Sequence, residues 1–63
     1  MDLSQKFQSE RMAVNYALEL SDRYRDFFFY VFRRNDGTYL VDPVGIKYDD
    51  ETLLAIYHQT EKQ

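Results

Sequence analysis

The chain has 63 residues, no cysteine, five Phe, six Tyr and a formal net charge of −3. Without thiols it can form neither disulfides nor thiolate metal sites, so a core this small must rely on dense aromatic packing, oligomerisation or a bound partner. The acidic total argues against a general nucleic-acid binder, and no apolar run approaches the ~20 residues of a membrane span, so a soluble cytoplasmic protein of one domain, 1–63, is expected.

In chain order, Asp2 to about Tyr24 reads as one long helix. Asp2 can accept the free amides of the first turn, and Gln5 three residues on completes a box-like cap. At helical spacing Leu3, Phe7, Val14 and Leu18 form one stripe, with Ala13, Tyr16, Ala17, Leu20 and Tyr24 in a second beside it. That arc is wide enough to touch two things, either a C-terminal helix as well as the hairpin, or a second chain. A charged junction, Ser21 to Asp26, follows without Pro or Gly to mark its end.

Phe27 to Phe32 is an unbroken aromatic and β-branched run, a poor helix former that fits a pleated sheet well. With Arg33-Arg34, the turn residues Asn35-Asp36-Gly37 and the run Thr38 to Val41, it predicts a β-hairpin. Asn35 and Asp36 suit a type I turn and Gly37 the left-handed residue that closes it with a bulge, which sets Arg34 opposite Thr38. Phe27, Phe29, Val31 and Arg33 then share one face with Tyr39 and Val41, and Phe28, Tyr30 and Phe32 share the other with Leu40 and Asp42. A two-residue Asp36-Gly37 turn would invert the second strand. In either register both faces are apolar, so something must cover each.

Asp42-Pro43-Val44-Gly45 should end the second strand. Ile46-Lys47-Tyr48 alternates, as a short third strand or an extended connector. Asp49-Asp50-Glu51-Thr52 reads as the acidic start of a second helix carrying Leu53, Leu54, Ile56 and Tyr57, with Lys62 near its end to match the dipole. The expected fold is α+β, a small two-layer domain of order α-β-β-α with an antiparallel hairpin. Its expected core is Phe7, Val14, Leu18, Phe27, Phe29, Val31, Val41, Leu53, Ile56 and Tyr57.

Catalytic chemistry is thinly provided. His58 is the one histidine, away from the apolar stripe of the second helix, and Ser4, Ser9 and Ser21 sit in no nucleophile turn. Asp42, Asp49, Asp50 and Glu51 lack the spacing of a calcium loop, and the two glycines, Gly37 and Gly45, form no phosphate-binding loop. No enzyme, metal or cofactor is expected. Phe28, Tyr30, Phe32, Arg33, Arg34 and Tyr39 are candidate partner-binding residues, because aromatic side chains and arginine concentrate at interface centres. The expected function is a small regulatory protein that binds another protein through its aromatic hairpin and helix surface, and itself as a homodimer. The alternative is a nucleic-acid-binding module using Arg23, Arg25, Arg33 and Arg34.

Overall fold

The computed structural model describes residues 3–63, so the helix cap expected at Asp2 lies outside the described residues. The elements are β1 (Gln5–Phe7), α1 (Glu10–Arg23), β2 (Phe29–Arg34), β3 (Tyr39–Asp42), β4 (Glu51–His58) and β5 (Glu61–Lys62). The strands form one sheet in the order β1-β3-β2-β4-β5, with every neighbouring pair antiparallel. The α+β class stands, but the order α-β-β-α does not: one helix covers a five-stranded sheet, and the expected C-terminal helix is strand.

The N-terminal helix is shorter than its apolar stripes suggested. Ser9, not Asp2, caps it: the residue is extended (φ −134°, ψ 148°), and its hydroxyl accepts from the Met12 N–H at 3.2 Å. Residues 5–7 instead pair with β3, Phe7 opposite Tyr39, and Phe7 packs its ring on Tyr16 of the helix with centroids 5.1 Å apart. Of the two stripes, the second faces the sheet. Ala13 and Ala17 are fully buried and Leu20 nearly so, whereas Val14 and Leu18 are half-buried at the margin. Two alanines at the contact let the helix lie close across β2, β3 and β4.

The hairpin adopts the register in which Arg34 faces Thr38. Arg34 N–H donates to Thr38 O at 2.8 Å, Gly37 N–H donates back to Arg34 O at 3.1 Å, and Gly37 has φ +88°. Phe32 therefore pairs with Leu40, Val31 with Val41 and Tyr30 with Asp42. Phe29, Val31, Val41, Ala55 and Tyr57 are buried against α1.

The second helix fails because β2 is the centre of the sheet, and β4 supplies the partner for its other edge. Helix-favouring Leu and Ala yield to that pairing, as propensity does when tertiary packing competes. A bulge hides the strand from the sequence. Between the pairs Val31–Ala55 and Phe32–Leu53 the register shifts, leaving Leu54 as an extra residue. Leu53 and Ile56 then face away from α1, while Leu54, Ala55 and Tyr57 turn to the helix side, a sequence of facings that mimics helical spacing. Two residues of the expected core are surface residues: Phe27 is 49 % and Leu53 42 % exposed. Phe32, Ala13, Ala17 and Leu20 are buried in their stead.

Since β3 and β4 are both antiparallel to β2, they run parallel to each other on its two sides. The chain leaves β3 beside Tyr30 and must enter β4 beside Arg34, so residues 43–50 travel the length of β2 on the face that α1 leaves free. This strap takes no strand pairing: of the two expectations for Ile46–Tyr48, a short third strand or an extended connector, the strand is not formed and the segment is a connector without regular structure.

Candidate functional site: the strap face

The strap is tied down by polar atoms. At its start the Val44 N–H donates to the Asp42 carboxylate at 2.8 Å, a side-chain turn that sets its direction. Gly45 then lies on the ring of Tyr30 so closely that a Cβ there would stand 2.6 Å from Tyr30 Cζ. Further on, Lys47 Nζ donates to the Glu51 carbonyl at 3.0 Å, Tyr48 N–H to Glu51 Oε1 at 3.1 Å and Glu51 N–H to Tyr48 O at 3.0 Å. Glu51 is itself buried, with Oε2 3.8 Å from Arg34 Nη1.

Between these anchors the apolar side chains face water. Val44 is 53 %, Ile46 61 % and Tyr48 64 % exposed, at alternate positions of a segment without regular structure. Leu53 on β4 continues the surface, and Phe28 stands at the opposite end of the same face, its ring stacked on His58 at 4.1 Å and 11°. Beneath the strap, Tyr30 and Phe32 are stacked at 6.3 Å and 13°, with Phe32 almost wholly buried.

Close approach at Gly45 makes a sharp test of strap docking. Gly45→Ala is expected to destabilise the fold by about 1–2 kcal/mol through overpacking, and urea unfolding should show most of that loss vanish in a Tyr30→Leu background. An equal loss in both backgrounds would mean that the strap does not rest on this ring.

The residues singled out from the sequence divide between two faces. Phe28, Tyr30, Phe32 and Arg34 share the strap face, but Phe32 is buried and Arg34 is turned to Glu51. Arg33 and Tyr39, paired across the hairpin, lie on the helix side, Arg33 exposed and Tyr39 half-buried. Sequence reading missed Val44, Ile46, Tyr48 and Leu53. The signal was present in the alternation of 44, 46 and 48 around Gly45, without the crossover that would explain it.

An open cleft of about 290 Å³ lies beside the hairpin tip, lined by Arg33, Arg34, Asn35, Gly37, Asp50 and Thr52. His58 is at the far end of β4 from it. Among the described residues no group of three or more His, Cys, Asp or Glu is placed to hold a metal ion, and no helix is long and apolar enough to cross a membrane. At the tip, Asp36 accepts from the Thr38 hydroxyl at 2.6 Å and the Thr38 N–H at 2.9 Å. Those bonds hold its carboxyl below the usual 3.8. They lock the turn. No protein-family model matches the chain, and neither the curated proteins nor the solved structures give a significant match, so the strap face has to be read from its own chemistry.

Proposed function

We propose that the chain is a non-enzymatic protein-binding module that docks another protein on its strap face. The observation that carries this reading is the inversion of the strap: its polar atoms are used to fasten it to the sheet, while Val44, Ile46 and Tyr48 are each more than half exposed. A connector serving only as a cover would turn those side chains toward Tyr30 and Phe32. Seven large apolar side chains are exposed among the described residues, and five of them, Phe28, Val44, Ile46, Tyr48 and Leu53, belong to this one face. Exposed apolar side chains gathered on one face mark interaction sites.

The nucleic-acid alternative has less support. Arg23 is paired with Glu19 at 2.9 Å, Arg25 with Asp22 at 3.2 Å and Arg34 with Glu51, so carboxylates already face three of its four arginines. Arg23 and Arg25 also lie beyond the first residue of β2 and Arg33 and Arg34 at its last, so the length of the strand separates the two pairs.

Site-specific photocrosslinking in the cell of origin tests the proposal. A photoreactive phenylalanine at position 48 is expected to give a discrete adduct that Ile46→Asp removes, with none from the same group at Asn15 on the exposed side of α1. Absence of an adduct at 48, or equal adducts at 48 and 15, overturns it.

A further inference from the structure

Resting on the protein-binding reading, we infer that the occupant of the strap face is a basic protein surface, an apolar groove or strand rimmed by Lys and Arg, and not a second copy of this chain.

Size bears on the question first. A compact monomer of 7.7 kDa exposes about 4300 Å², and this chain exposes 4309 Å². It has no surplus surface of the sort an obligate subunit leaves open, which removes the main physical reason for a permanent second copy. A standard interface takes about 800 Å² from each partner, roughly a fifth of that surface. The few side chains of the apolar ridge fall short of such an area, so a partner must also cover the residues around them.

Those surroundings are acidic at both ends. Asp42 precedes the ridge and Asp49 and Asp50 follow it, giving the segment 42–50 a charge of −2 from three acids and Lys47. The lysine is spent on the carbonyls of Tyr48 and Glu51. Near the second end, Arg34 is turned to Glu51 and Arg33 lies on the helix side, so no basic side chain is paired with Asp42, Asp49 or Asp50 among the described residues. Two copies laid ridge on ridge about a twofold axis would bring an acidic end against an acidic end whether the ridges ran parallel or antiparallel, because both ends carry acids. Like charges placed so are unfavourable, and the same geometry welcomes a partner with Lys or Arg beside an apolar centre.

The test uses the whole chain, light scattering across a dilution series, and two fluorescent synthetic peptides, one alternating Leu with Lys and the other Leu with Glu. The chain is expected to stay monomeric and to bind the Leu/Lys peptide with a salt-sensitive affinity. Asp42→Asn with Asp49→Asn should flatten the salt dependence. Ile46→Asp should weaken binding by about tenfold or more although it adds a negative charge, which separates docking on the ridge from mere attraction to an acidic protein. Equal binding of the Leu/Glu peptide, or no binding of either, overturns the basic partner and leaves the photocrosslinking to judge the protein-binding reading by itself. A dimer dissolved by Ile46→Asp makes the occupant a second copy, overturning this inference while upholding that reading. Stronger binding of the Leu/Lys peptide to the Ile46→Asp variant shows mere attraction to an acidic protein and overturns the basic partner docked on the ridge.

Discussion

Replacing Glu51 with alanine is expected to lower the unfolding free energy by about 3 kcal/mol, with the loss felt first in the strap. The side chain is completely buried, one oxygen accepts the Tyr48 amide, and the other faces the Arg34 guanidinium, itself 27 % exposed. Alanine would remove the acceptor of the part-buried Tyr48 amide and the counter-charge of Arg34. At 3.8 Å the contact with Arg34 is Coulombic and not a hydrogen bond, and neither Arg34 Nε nor Glu51 Oε2 has a hydrogen-bond partner among the described residues. The expected loss therefore sits at the low end of that for a broken buried pair. Glu51→Gln separates the two parts, because its amide oxygen can still receive the Tyr48 N–H while the charge is gone; about half the loss is expected there. Urea unfolding gives the magnitudes, and hydrogen exchange at the Tyr48 amide reports the strap. If both variants lose under ~1 kcal/mol, the strap is held by something other than Glu51.

What could be read from the sequence follows from where local and tertiary preferences agree. In the hairpin they coincide: the aromatic run favours a strand, Asn35-Asp36-Gly37 suits one turn geometry, and that turn fixes the register found. In β4 they conflict. Acids at Asp49 to Glu51, helix-favouring Leu and Ala, and a bulge that breaks the alternation all imitate a helix, and only the need of β2 for a second neighbour decides for a strand. The helix start was displaced for a related reason, since Leu3 and Phe7 fit a helical stripe and equally well meet Tyr16 from outside the helix, Phe7 by its ring from β1 and Leu3 by its carbonyl just before it. The candidate site was half legible. Apolarity of both hairpin faces implied a second cover, expected as a helix or a second chain and found as the strap; which segment crosses which face depends on the parallel relation of β3 and β4, and that exists only once β4 is a strand.

The C-terminal hairpin was hidden by its turn, and the same turn gives the second large prediction: Gln59→Asn combined with Thr60→Gly is expected to stabilise the protein by about 1.5 kcal/mol. His58 pairs with Glu61, so Gln59 and Thr60 are the loop, and both are left-handed, with φ 50° and 65°. Two-residue hairpin loops of that form ordinarily carry Asn-Gly, and a β-branched threonine is among the least suited residues. The strain is borne because the turn is anchored to the end of α1. Thr60 N–H donates to the buried Ser21 hydroxyl at 2.9 Å, that hydroxyl donates to Leu18 O at 2.8 Å, and Gln59 Nε2 donates to Arg25 O at 3.3 Å. Glycine keeps the first of these bonds, since it uses the backbone, and removes the Cβ penalty; the longer Gln59 bond is lost and offsets part of the gain. A melting temperature higher by about 4–8 °C per kcal/mol is the readout. Thr60→Ala is the control, because alanine sheds the β-branch and keeps a Cβ in the left-handed region. Should alanine stabilise as much as glycine, backbone strain is not what this turn stores, and the anchoring by Ser21 would have to be read as ordinary packing.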